Sequence, residues 1–172
     1  NGVVKEWYYA PQNANLDIES FVKEKLGVGV VVENDMKACA HAYSGNIATA
    51  QFGHNGIGIG IMVDGHVLRG QNGFAGEVGF IEDINRNIMS VRYCAKIIRA
   101  LICFCNPSEI IFYLSERQND FDKIMDEAMK KMPAYTKPKV VVSNDYIEDI
   151  LKGLKILSIN ERTIDVSQVK FV

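Results

Sequence analysis

Apolar and polar positions recur along this chain with two different periods, and the period switches several times. In residues 90–105, Val91, Cys94, Ile98, Leu101 and Cys105 repeat every three or four positions. That spacing predicts an amphipathic helix, which Asn106-Pro107 should end. Residues 109–114 (E-I-I-F-Y-L) form a continuous apolar run of strand length. Phe121, Ile124, Met125, Ala128, Met129 and Met132 stripe another helix, with the methionines as core filler. Pro133 and Pro138 bracket a loop. Residues 139–143 then predict a strand and 147–157 a last helix, in which Gly153 permits close packing. This order predicts right-handed βαβ units in a mixed sheet.

The first half is less regular. Residues 3–10 (V-V-K-E-W-Y-Y-A) read as a short strand. Asn15 or Asp17 can cap a helix over 17–26, with Ile18, Phe21, Val22 and Leu26 on one face and Gly27 ending it. Val28 to Val32 predicts a buried strand running into Glu33-Asn34-Asp35. An Ala-rich helix over 37–44 follows. Carboxylates between a strand end and a helix start sit where α/β proteins place ligand groups. Asp35 can equally serve as a simple helix cap.

Residues 53–81 hold most of the fourteen glycines. Glycine packs nothing and weakens a strand, so this density predicts close approach of backbone to something else. Ile61-Met62-Val63, Asp64-Gly65 and His66-Val67-Leu68 predict a hairpin. Gly79 to Glu82 reads as a further short strand. Arg69 and His66 read as surface groups, and His41 as a helix residue rather than a ligand.

Composition narrows the classes. The 172 residues are 48% hydrophobic, enough for a buried core, and the net charge is −2. That charge excludes the basic field of nonspecific DNA binding. No apolar run is long enough to span a membrane, and none of the given residues reads as a signal peptide. Cys39, Cys94, Cys103 and Cys105 do not follow a zinc-type spacing. Cys94 and Cys105 read as reduced core thiols, which fits a cytoplasmic location. The start, Asn1-Gly2-Val3-Val4, reads as the interior of a fold, so the chain is expected to be a fragment of a longer one.

The order of E-N-D (33–35), D-G-H-V-L-R-G-Q-N-G (64–73), F-A-G-E-V-G (74–79) and N-P-S-E-I-I-F-Y-L (106–114) resembles the ROK family of repressors, open reading frames and kinases. The resemblance covers roughly residues 1–160. It implies an α/β, actin-like (ribonuclease H-like) sugar-kinase fold. Residues 1–32 would end the N-terminal lobe. Residues 33–172 would form the C-terminal lobe, a mixed sheet flanked by helices. It also implies roles. Asp35 matches the general base of the family's kinases, Asn34 a sugar-holding residue and Glu77 a sugar-binding carboxylate. A carboxylate accepts two hydroxyl hydrogen bonds at fixed geometry, which suits a sugar edge.

The departures set the expected function. Phe80 stands where the kinases carry a histidine that helps bind sugar and often zinc; an aromatic there can stack on a sugar face or fill the vacated pocket. Residues 82–90 hold no cysteine, so the zinc motif is absent and no metal is expected. His54-Asn55-Gly56-Ile57-Gly58-Ile59-Gly60 replaces the phosphate loop G-T-G-I-G-G-G, leaving His54, Asn55, Gly56 and Gly58 as its remnant. Leu114-Ser115-Glu116 stands where nucleotide-receiving glycines would. The resemblance implies that the family's D-x-G-G-T loop would lie upstream of Asn1. These features imply the sugar-sensing, effector-binding domain of a ROK-type regulator, a homodimer without cofactor. It would reach DNA only through a winged helix before residue 1. The alternative is an ATP- and Mg²⁺-dependent sugar kinase of glucokinase or N-acetylhexosamine kinase type, with Asp35 as base. A third reading is a ligand-free dimerisation module.

Overall fold

Five strands make one mixed sheet. They are β1 (Ile47–Gly53), β2 (Gly56–Val63), β3 (His66–Val67), β4 (Glu109–Tyr113) and β5 (Lys139–Ser143), in the spatial order β3-β2-β1-β4-β5. The computed structural model describes residues 2–4, 11–53, 56–81, 90–113 and 120–164. The chain divides into two compact units, 1–34 and 35–172.

In the first unit, helix α1 (Ile18–Leu26) starts where Asp17 accepts a bond from the Ser20 N–H at 2.9 Å and ends at Gly27, whose φ is +66°. Val4 pairs with the chain around Leu16, and Val3 bridges Asp17; residues 5–10 of the expected first strand lie outside the described residues. The apolar face expected on α1 is only partly covered: Ile18 and Val22 are half-buried, and Phe21 and Leu26 are exposed. The buried strand expected at Val28 to Val32 is not formed, and Val28, Val31 and Val32 are exposed. A strand needs a ladder partner for its N–H and C=O groups. Among the described residues, nothing pairs with this run.

The second unit is built on the sheet. β1 runs antiparallel to β2 and parallel to β4, and β5 runs parallel to β4. Asp64 (φ +50°) and Gly65 (φ +77°) turn β2 into β3 with both central residues left-handed, as Asp-Gly dictates. Helix α2 is Asp35–His41, α3 is Val91–Cys105, α4 is Phe121–Met129 and α5 is Tyr146–Ile164. Ser90 caps α3 through the Tyr93 N–H, and Asn106 ends it at φ +41°. Met132 lies beyond the end of α4, and α5 is longer than its apolar stripe predicts.

Strand alternation divides the core. Ala48, Ala50, Phe52, Ile110 and Phe112 pack beneath α3 and α4. Ile47, Ile111 and Tyr113 face α2. Phe112 stacks on Phe52 at 5.7 Å and meets Phe121 edge-on at 4.8 Å. Of the strand expected at Gly79 to Glu82, Gly79 and Phe80 lie instead in a single 3₁₀ turn, Val78–Phe80, closed by Phe80 N–H to Glu77 O, and Glu82 lies outside the described residues. The left-handed Gly76 (φ +88°) redirects the chain just before it. Among the described residues, no helix is long and apolar enough to cross a membrane.

Candidate functional site

Helix α2 (D-M-K-A-C-A-H) is wedged between the glycine hairpin and α5, and its small residues make that possible. Gly58 leaves room for the Met36 side chain, since a Cβ there would stand 2.7 Å from Met36 Cγ. A Cβ on Gly60 would strike the Met36 carbonyl oxygen, which also accepts the Thr49 hydroxyl at 2.8 Å. On the opposite side, a Cβ on Gly153 would strike the Ala38 carbonyl oxygen. Gly153 therefore serves the close packing its place in the sequence suggests.

This packing fixes Asp35, the first residue of α2. Asp35 is exposed; its Oδ1 accepts the Met36 N–H and its Oδ2 accepts the Tyr146 hydroxyl, each at 2.7 Å. It thus has a local helix-start role and a tie to α5 at once. Glu77 is half-buried at the entry to the 3₁₀ turn. The preceding Gly76 lies so tightly on β2 that a Cβ there would meet the Ile59 carbonyl oxygen. Lys37 joins the two segments. Its side chain is 2% exposed, its Nζ donates to the Gly73 carbonyl at 2.6 Å, and it pairs with Glu77 Oε1 at 3.5 Å. The first turn of α2 therefore carries one carboxylate and tethers the other.

Other expected residues fall as follows. Phe80 is 71% exposed and its ring lies 5.2 Å from that of Phe74, also exposed, giving an open aromatic pair beside Glu77. Asn34 is exposed in the first unit, its N–H donating to Glu33 Oε1 at 3.0 Å. Gly56 opens β2 at φ +130°. His54, Asn55, Leu114, Ser115, Glu116 and most of 82–90 lie outside the described residues. Arg69 is not a solvated charge: its Nη2 lies 3.3 Å from His41 Nε2. His66 is exposed as expected.

Lys37, Phe74 and Tyr146 were not singled out in the sequence. A cation in the first turn of an Ala-rich helix was the available signal for Lys37, because both the helix dipole and burial oppose it. Phe74 stood inside a matched motif. Nothing local marks Tyr146.

Behind Asp35 lies a buried hydroxyl network. Asp149 Oδ2 accepts Tyr113 at 2.6 Å and Tyr43 at 2.7 Å, linking α5 to β4 and the end of α2. Burial pushes the Cys39 thiol from 9.0 up to about 12. Burial, then the bond to Asp149, pushes the Tyr43 hydroxyl from 10.0 up to about 12 against a lowering bond from Tyr113. Tyr113 and Tyr146 are also raised, chiefly by burial. All four groups stay neutral to higher pH in the folded chain than in the unfolded one. The stability that Cys39 and Tyr43 give in this way is complete below pH 9 and is lost as pH climbs to about 12. Denaturation midpoints should therefore fall progressively over that window; a flat profile would contradict the burial of this cluster.

The ROK family model matches residues 7–105. This chain belongs to the ROK family. Over 74 residues it is 39% identical to the xylose repressor of Bacillus spizizenii, covering 38% of this chain and 19% of that protein. The chain thus spans about a fifth of the length of the curated relatives it matches. Among solved structures it resembles the ROK hexokinase of Thermus thermophilus (TM-score 0.70, 14% identity, 93% of this chain and 75% of that one). It also resembles a ROK family transcriptional regulator described as a homolog of E. coli MLC protein (TM-score 0.66, 18% identity, 84% and 55%). These likenesses establish the actin-like sugar-kinase fold; at such identity they carry the fold and nothing finer.

Proposed function

We propose that this chain is the sugar-sensing part of a ROK-family transcriptional regulator whose nucleotide site has decayed. Residues 1–32 end its N-terminal lobe and 33–172 form its C-terminal lobe. A neutral sugar is held by Asp35 and Glu77 through its hydroxyls, with the ring against Phe80. The observation that carries this reading is the first turn of α2, which bears Asp35 and tethers Glu77 through Lys37. The similarity to xylose repressors supports the regulator branch. His54 and Asn55 in place of the first glycine and the threonine of the kinase phosphate loop, and Leu114-Ser115-Glu116 in place of the nucleotide-receiving glycines, support loss of nucleotide binding. The protein works as a cytoplasmic homodimer without zinc, and sugar occupancy shifts its affinity for operator DNA through a separate DNA-binding segment.

The kinase alternative rests on Asp35 as general base, and one experiment separates the two. The intact protein is assayed for DNA binding and for ADP release with D-xylose, D-glucose, N-acetylglucosamine and N-acetylmannosamine, with and without ATP·Mg²⁺. One sugar should change DNA affinity by ~5-fold or more, with no sugar-dependent ADP. Sugar-dependent ADP release would overturn the proposal in favour of phosphoryl transfer.

A further inference from the structure

Lys37 is the most deeply buried cation among the described residues, and burial of a lysine is normally avoided. It also sits in the first turn of a helix, where the dipole disfavours positive charge. Gly73 and Glu77, which it contacts, lie 36 and 40 residues away in sequence, both in the glycine loop that ends at Glu77. The Gly73 contact at 2.6 Å is shorter than an ordinary neutral hydrogen bond, as a charged donor allows. Gly73 is left-handed (φ +76°), so its carbonyl direction is set by an uncommon backbone. Glu77 pairs through Oε1 at 3.5 Å while its side chain stays 39% exposed. One face of the carboxylate is anchored and the other faces solvent.

We propose that Lys37 is a positioning residue for effector binding: bonded to the Gly73 carbonyl, its ammonium holds the 73–77 loop against α2 and aims the Glu77 carboxylate at the sugar. This rests on the reading that Glu77 contacts the sugar. Lys37 does not touch the sugar; it acts through Glu77. Its charge matters because it compensates a carboxylate that the loop brings against a packed helix. A neutral donor at the same place keeps the Gly73 bond and leaves Glu77 without its cation.

The intact protein is titrated calorimetrically with D-xylose and D-glucose in five forms: wild type, Lys37→Arg, Lys37→Gln, Glu77→Gln and the double variant Lys37→Gln/Glu77→Gln. Lys37→Gln retains a donor for Gly73 and serves where an apolar replacement would fail to fold. Thermal unfolding of each form is followed in parallel. Lys37→Gln should weaken sugar binding ~10-fold or more, and Lys37→Arg should restore most of that loss. The double variant should bind no worse than Glu77→Gln alone, because the two changes remove one shared interaction. Losses that add in the double variant, or an unchanged affinity in Lys37→Gln while Glu77→Gln loses binding, overturn the positioning role and leave the sugar site standing. An unchanged affinity in Glu77→Gln, or no sugar binding by wild type, overturns the underlying reading and this inference with it.

Discussion

Gly60→Ala should destabilise the protein by about 3 kcal/mol, the upper part of the range for overpacked cores. The added methyl would meet the Met36 carbonyl oxygen and lie 2.5 Å from Thr49 Oγ1. Neither neighbour is the free end of a flexible side chain. One is helix backbone, and the other belongs to a fully buried residue bonded to that same carbonyl. Relief therefore requires moving the start of α2, and with it Asp35 and Lys37. Chemical denaturation reads the loss as a lower midpoint with little change in slope. An unchanged midpoint would show that α2 is not seated on β2 as described. Because the strain falls at the site, sugar affinity should drop in the same variant even under conditions where it stays folded.

Phe112→Ala should cost about 3–5 kcal/mol, the range for deleting a buried aromatic side chain. Phe112 is fully buried in the central strand β4. It joins β1 to α4 by contacting Phe52 and Phe121. The cavity left behind would lie between sheet and helices, where the surrounding backbone is least able to collapse. In contrast to Gly60→Ala, this change sits on the face of the sheet away from α2. Sugar affinity in the folded fraction should therefore be nearly unaffected. Guanidinium denaturation of the two variants side by side separates global stability from site geometry.

Periodic segments were readable because their signals are local. The 3.6-residue stripe of α3, with Ser90 before it and Asn106 after, contains its own start, face and stop. Asp64-Gly65 forms its turn because the two residues tolerate the left-handed backbone a tight hairpin needs. Gly153 was legible as a close approach, though not what approaches it. Val28 to Val32 misled because an apolar run proposes a strand without supplying a partner. Gly79 and Phe80 misled because Gly76 turns the chain into a 3₁₀ segment where a strand was expected to start. Within the candidate site, motif order is what points to Asp35 and Glu77. It does not point to Lys37 and Tyr146, because their roles depend on partners 36 to 111 residues distant.

The proposed function depends on one monosaccharide contacting both Asp35, which starts α2, and Glu77, which Lys37 tethers to that same turn. The most direct check is isothermal titration of the intact protein and its Asp35→Ala and Glu77→Ala variants with D-xylose, D-glucose, N-acetylglucosamine and N-acetylmannosamine. The account predicts saturable binding of at least one sugar by wild type, weakened ~10-fold or more in each variant. Binding that survives both truncations at full strength would contradict it.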